Sequence, residues 1–128
     1  SLLDQCEWAI EQHFTFAAWN VLMPYPGTPL YDRLAAQDRL LYDGRWWLHP
    51  DYRFNSAAFK PLRMTADELT ETAWACRRRW SSVSSIVTRA LDRSTNMSSL
   101  TRFGLYLLYN PLFRREAFKR QGLRLGTR

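Results

Sequence analysis

Two histidines, two cysteines and scattered carboxylates are the residues with which this chain could do chemistry. His13 and His49 are 36 positions apart, and neither has a cysteine or paired carboxylate at metal-ligand spacing. His13 falls where a helix hands over to the next element, a position that suits a structural histidine better than a ligand. Cys6 and Cys76 lie far apart in helical contexts. They give no disulfide framework and read as reduced core residues. Asp43, Asp51 and Glu68 form no acid–base pair. There is no Ser-His-Asp arrangement, phosphate-binding loop or dinucleotide fingerprint. The residues therefore assign no catalytic group and no metal ligand.

The side chains best suited to meet a ligand are polar and aromatic instead. Met23-Pro24-Tyr25-Pro26-Gly27-Thr28-Pro29-Leu30-Tyr31 places three prolines around one glycine. Each proline fixes φ and removes a donor, while the glycine permits a φ that other residues resist. Such a loop is either a rigid strand-to-helix turn or a ligand-facing loop at the C-terminal end of a barrel strand. Just before it, Asn20 interrupts the apolar run Phe14–Leu22. A buried amide left unpaired costs about 1–3 kcal/mol, so Asn20 calls for a partner, either backbone or ligand. Tyr25 can stack on a ring or simply pack. Trp46-Trp47-Leu48-His49-Pro50-Asp51-Tyr52 concentrates aromatic surface that either covers a substrate or plugs a barrel mouth.

The elements that must position these residues follow from periodicity. Residues 2–12 read as a helix: Leu2, Leu3, Cys6, Ala9 and Ile10 share one face, with no cap ahead of them, as in an interrupted element. Residues 14–22 read as a strand buried on both faces. A helix followed by such a strand is one α/β unit, and a lone parallel strand lacks a partner, so the unit reads as part of a truncated domain. Residues 29–37 read as a short helix, with short strands expected at 40–42 and 57–60 and a turn at Tyr42-Asp43-Gly44-Arg45. Thr65-Ala66-Asp67-Glu68 is a capping box. It opens a helix expected to run to about 92, with Arg77-Arg78-Arg79 on its wet side and the serines at 81–85 able to interrupt it. Residues 92–99 read as a polar connector. A helix over 100–109 is expected to stop before Pro111, and a last helix, 111–121, to end at Gly122.

The chain has 128 residues, 46% of them hydrophobic, and a formal net charge of +6. No run approaches the ~18–20 apolar residues of a membrane span, and no secretory signal is visible. A cytoplasmic or membrane-peripheral location is expected. Residues 1–64 carry a net −1 and residues 65–128 a net +7. Much of the latter falls on Arg114, Arg115, Lys119, Arg120, Arg124 and Arg128, opposed only by Glu116. A solvated helix face, an anionic lipid surface or an acidic protein surface would each suit that tail. No nucleic-acid motif accompanies it, so no nucleic acid is expected as a partner.

The apolar run, the M-P-Y-P-G-T-P-L-Y turn and the helix after it resemble the late part of radical SAM enzymes. The closest likeness is to those with an N-terminal cobalamin (B12)-binding domain. Met23 stands where that pattern usually has Thr, and Gln37-Asp38-Arg39-Leu40-Leu41 where it has Glu-Gly-Arg-Leu. Downstream, Trp46-Trp47 and then Phe59-Lys60-Pro61-Leu62-Arg63-Met64-Thr65-Ala66-Asp67-Glu68-Leu69 resemble the entry to that family's C-terminal helical region. Ser84-Ser85-Ile86 with Arg89 resembles its S-I-x-x-R segment. Asn110-Pro111-Leu112-Phe113-Arg114-Arg115 and Arg120-Gln121-Gly122-Leu123-Arg124-Leu125-Gly126 resemble its ending.

The resemblance implies a mainly α (α+β) fragment. Residues 1–37 would be the last helix-strand unit of a partial (β/α) barrel, 38–64 an irregular aromatic linker, and 65–128 a helical C-terminal extension. It implies a parent enzyme that cleaves S-adenosylmethionine reductively at a [4Fe–4S] cluster and methylates or rearranges an unactivated carbon; whether cobalamin is a further cofactor the resemblance leaves open. Asn20, Leu22, Pro24, Tyr25 and Gly27 would line or support the S-adenosylmethionine end. Trp46, Trp47, His49 and Tyr52 are the candidates for the side that faces a small-molecule substrate. Two cysteines cannot hold such a cluster. The chain alone is therefore expected to be inactive and to bind none of these cofactors, its partner being the missing N-terminal portion of the same polypeptide. The alternative reading is a basic, amphipathic, helical membrane-surface or lipid-binding module that uses the Phe103–Phe113 stretch.

Overall fold

The computed structural model of the protein describes residues 1–124. Leu125, Gly126 and Arg128, which complete the resembling C-terminal segment and the basic tail, lie outside the described residues. The described chain is mainly helical: α1 (Leu2–Glu11), α2 (Pro29–Ala36), α3 (Ala66–Trp80), α4 (Val83–Ala90) and α5 (Leu100–Arg120). Single 3-10 turns occupy Tyr42–Gly44 and Trp46–Leu48. No β-sheet forms among the described residues. The expected strands at 40–42 and 57–60 reduce to one antiparallel bridge, Leu40 to Phe59.

Helix ends follow local chemistry. The expectation that α1 starts uncapped is corrected: Ser1 Oγ accepts from the Asp4 amide, and the Asp4 side chain accepts from the Ser1 nitrogen. Thr28 caps α2, with Pro29 in its first turn. The capping box of α3 forms in both directions, from the Glu68 amide to Thr65 Oγ1 (3.1 Å) and from the Thr65 amide to the Glu68 carboxylate (2.6 Å). The helix does not run on to 92. It breaks after Trp80, and Ser82 caps α4 by accepting from the Ser85 amide at 3.2 Å. Nor does Pro111 end a helix, since α5 is continuous through it. Gly122 follows with φ +73°, the left-handed residue expected just past a helix end.

The described chain divides into two compact units, each discontinuous in sequence. The first comprises Ser1–Trp19 and Thr72–Arg120. Its core is Cys6, Ala9 and Ile10 of α1 with Cys76 and Trp80 of α3, and Leu2, Ala17 and Trp19 pack against it. Tyr106 of α5 is fully buried and donates to the Ile86 carbonyl of α4 at 2.7 Å. Arg77-Arg78-Arg79 is not a uniformly wet face. Arg77 Nε donates to the Trp19 carbonyl (2.6 Å), and Arg79 makes a two-pronged pair with Glu7 (2.6 and 2.8 Å). Only Arg78 of the three is exposed.

The second unit comprises Asn20–Glu71 with the residues from Gln121 onward. Trp46, Tyr52 and Ala58 form its core, with Met23 and Tyr42 packed against them. The Phe54 amide donates to the Leu123 carbonyl and the Gly122 amide to the Phe54 carbonyl, tying the C-terminal residues to this unit.

Residues 14–22 carry no strand, and the physical reason is visible. Side chains take carbonyls at both ends of the segment that a neighbouring strand would have met. His13 O accepts from Asn96 Nδ2 (2.9 Å), Phe14 O and Thr15 O from Arg89 Nη1 (3.1 and 3.3 Å), and Trp19 O from Arg77.

Candidate functional site

Most of the sequence-derived candidates fall in the second unit, and the structure gathers part of them. Trp46 is the centre. Its indole Nε1 donates to the Pro24 carbonyl at 3.1 Å, which fastens the proline-rich loop to the aromatic segment. Tyr25 meets the Trp46 ring edge-on at 5.6 Å, Trp47 meets it nearly perpendicular at 5.6 Å, and Tyr52 lies at 5.0 Å. Trp46, Tyr52 and Pro24 are buried, while Tyr25 is 56% and Trp47 37% exposed. The cluster thus has a dry centre and two accessible rings.

Tyr52 is anchored through its hydroxyl, which donates to the Ser56 carbonyl at 3.2 Å with Met23 Sδ at 3.6 Å. Burial, then the neighbouring Tyr42 and Tyr25, pushes the phenol up to about 12. It stays protonated across the ordinary pH range, as a packing group and donor rather than a base. His49 accepts from the Asp51 amide through Nδ1 at 3.2 Å. That bond puts the neutral imidazole's proton on Nε2. The ring packs on Tyr42 at 4.8 Å, so His49 shapes the wall of the cluster.

Tyr42 is the member that sequence reasoning missed. It stands with Asp43 and Gly44 in a run of three left-handed residues, at φ 57°, 52° and 72°. A bulky residue in that region is a genuine outlier and is held only by strong surroundings. The Gly44 carbonyl accepts from Tyr31 Oη at 3.1 Å, and a Cβ at Gly44 would meet that same oxygen at 2.8 Å. The turn aims the Tyr42 ring at His49 and edge-on to Tyr52 at 5.7 Å. The Tyr-Asp-Gly turn signal pointed to the bend, but nothing in the sequence marked the side chain.

The remaining loop candidates stay apart from this centre. Asn20 and Leu22 are exposed, and Gly27 (φ +78°) faces open space. The expected burial of the Asn20 amide is therefore corrected. On its exposed side the loop presents the ring of Tyr25, one stacking surface.

In the first unit the most organised polar group is Arg89. It is wholly buried and has no carboxylate among its hydrogen-bond partners. Nε donates to Ser85 Oγ, Nη1 to the Phe14 and Thr15 carbonyls, and Nη2 to the Trp80 carbonyl and Asn110 Oδ1, all within 3.1–3.3 Å. The guanidinium lies 3.8 Å from the centre of the Trp80 ring. Burial lowers its pKa from the usual arginine value, yet five acceptors and an aromatic face suit the cation. Ser85 and Arg89 of one resembling segment thus meet Asn110 of another. Asn96 completes the network by donating to the Arg89 and His13 carbonyls and accepting from Thr15 Oγ1.

The donor set does not fit an iron–sulfur cluster. Cys6 and Cys76 are both fully buried, with Cys6 Sγ 3.6 Å from the Cys76 carbonyl. Burial foremost, then Cys76, pushes the Cys6 thiol up to about 12, far from the thiolate a metal needs. No group of three or more His, Cys, Asp or Glu stands ready for a metal among the described residues. Comparison with models of known protein families, with curated proteins and with solved structures gives no match for this chain.

Proposed function

We propose that this chain is the C-terminal portion of a radical SAM enzyme and supplies the substrate-side wall and helical extension of that enzyme's partial (β/α) barrel. The observation that carries the reading is the junction at Trp46. Two separate segments on which the resemblance rests, the proline-rich loop and the Trp-Trp segment, are joined by the bond from Trp46 Nε1 to the Pro24 carbonyl. The candidates for the cofactor side and the substrate side are thereby adjacent through Tyr25 and Trp46.

In this reading the cluster, and cobalamin where the parent uses it, belong to the missing N-terminal portion of the polypeptide. The chain's own residues position and enclose. The buried indole of Trp46 holds the loop, Tyr25 and Trp47 present accessible rings beside it, and His49 packs on Tyr42, which meets Tyr52. The substrate is a small molecule with an unactivated carbon to be methylated or rearranged.

The test is release of 5′-deoxyadenosine from S-adenosylmethionine under strong reductant. It uses the polypeptide of the complete reading frame, purified without oxygen and supplied with iron and sulfide. That polypeptide releases the product, and residues 1–128 alone do not. Tyr25→Ala in the full polypeptide weakens S-adenosylmethionine binding about threefold to tenfold, the scale of one lost ring contact. A cluster-loaded full polypeptide that leaves S-adenosylmethionine intact would contradict the reading.

A further inference from the structure

We propose that α5 is a membrane-docking helix that lies in the plane of an anionic phospholipid surface. The inference rests on α5 alone and stands apart from the enzymatic reading.

The helix is apolar on two sides. One stripe, Phe103, Tyr106, Asn110 and Ala117, faces its own unit, with Tyr106 and Asn110 buried. The other, Leu105, Leu108, Tyr109 and Leu112, recurs at three- and four-residue spacing on the outward face, and each member is about half exposed. An apolar groove of about 330 Å³ continues this stripe, walled by Phe16, Leu105, Tyr109 and Phe113. Leu105, Leu108 and Leu112 gather on this face while the exposed Leu100 and Leu107 lie off it, and apolar side chains gathered on one face mark an interaction surface, whereas single ones do not.

Charge says what covers that surface. Along α5 the cations are Arg102, Arg114, Arg115, Lys119 and Arg120, and Glu116 is the one carboxylate, paired to Arg120 at 2.9 Å. Arg114 turns inward to the Ser81 carbonyl. Arg115 and Lys119 follow Leu108 and Leu112 along the same outward side, at helical spacing. Leucines inserted at the acyl boundary, with arginine and lysine at head-group level and a tyrosine between, is the arrangement an anionic bilayer surface fits. A second copy aligned in parallel fits poorly, because it sets the two basic ends of α5 together.

Pro111 agrees with an in-plane depth. A helical proline leaves the carbonyl four residues back, here Leu107, without its usual donor, and water at the interface supplies one where a hydrocarbon core does not. No helix among the described residues is long and apolar enough to cross a membrane.

The experiment is flotation of the full 128-residue chain with phosphatidylglycerol-containing vesicles and, separately, with pure phosphatidylcholine vesicles. The chain floats with the anionic vesicles. The bound fraction falls as salt rises from about 50 to about 500 mM, through screening. Leu108→Ser with Leu112→Ser, which leaves the net charge unchanged, weakens binding about tenfold or more through lost apolar insertion, with the circular dichroism spectrum unchanged. Arg115→Glu with Lys119→Glu does the same through lost surface attraction. Arg33→Glu with Arg45→Glu, the same change in net charge on exposed residues of the second unit, leaves binding in place.

Three results would overturn the proposal. One is equal binding, or none, to both vesicle types. Another is equal loss in the α5 and control charge reversals with no effect of the leucine pair, which would mean diffuse charge attraction. The third is a concentration-dependent dimer that the leucine pair abolishes, which would assign the face to a second copy.

Discussion

Arg89 places all five of its N–H groups on oxygens and its flat face on Trp80, with no anion to balance it. It acts as a backbone clamp: two of its acceptors are carbonyls of the segment after α1, and another is the last carbonyl of α3. Removing it strands those acceptors in a dry interior. Arg89→Met is expected to destabilise the chain by about 3–5 kcal/mol, read as a shift in urea unfolding followed by circular dichroism. Arg89→Lys recovers little, because a compact ammonium with three donors cannot span acceptors set for a planar fork. A change within about 0.5 kcal/mol, the size of an ordinary surface substitution, would refute the clamp. The sequence revealed some residues of this kind and hid others. Thr65 and Glu68 were legible because a capping box is local. Ser85, Arg89 and Asn110 stood out only as pieces of a resemblance, since an arginine held by carbonyls is created by tertiary packing and leaves no spacing signature. Asn96, in a polar connector, carried no signal.

Elements show the same division between local and tertiary control. The serine run could interrupt a long helix, and it does, because Ser82 offers its hydroxyl to the Ser85 amide and starts α4 afresh. The apolar, aromatic pattern of 14–22 argued for a strand, but a strand needs a neighbour's ladder, and Arg89 and Arg77 take the carbonyls of Phe14, Thr15 and Trp19 instead. Pro111 argued for a helix end. Tertiary anchoring on both sides overrides it: Tyr106 is tied to Ile86, Asn110 to Arg89, and Arg114 to Ser81. That override carries a cost. Pro111→Ala restores a donor to the Leu107 carbonyl and relieves the ring clash, partly offset by a freer unfolded chain. It is expected to stabilise the protein by about 1–2 kcal/mol in the same urea experiment. A loss of stability would show that the proline is needed where it stands.

At the scale of the molecule, two compact units share one chain, each closing on residues far apart in sequence. The aromatic candidates gather in the second, and the Arg89 clamp and α5 in the first. The helical class and most helix positions were legible from periodicity and caps. The convergence of Pro24, Tyr25 and Trp46 was not, because loop-to-loop contacts follow no period. The charge asymmetry was legible as composition, and the structure gives it a location along α5, opposed there by Glu116 alone. The two thiols are buried where α1 meets α3, and the proposal leaves cluster chemistry to another part of the polypeptide.

That claim is most directly tested by reading the coding DNA upstream of Ser1. An in-frame C-x3-C-x2-C motif roughly 100–200 residues earlier, a gap set by ordinary domain size, is the predicted result. A start codon immediately at this chain, with no such motif encoded in frame, would contradict the enzymatic account and leave the α5 docking surface to stand or fall by its own test.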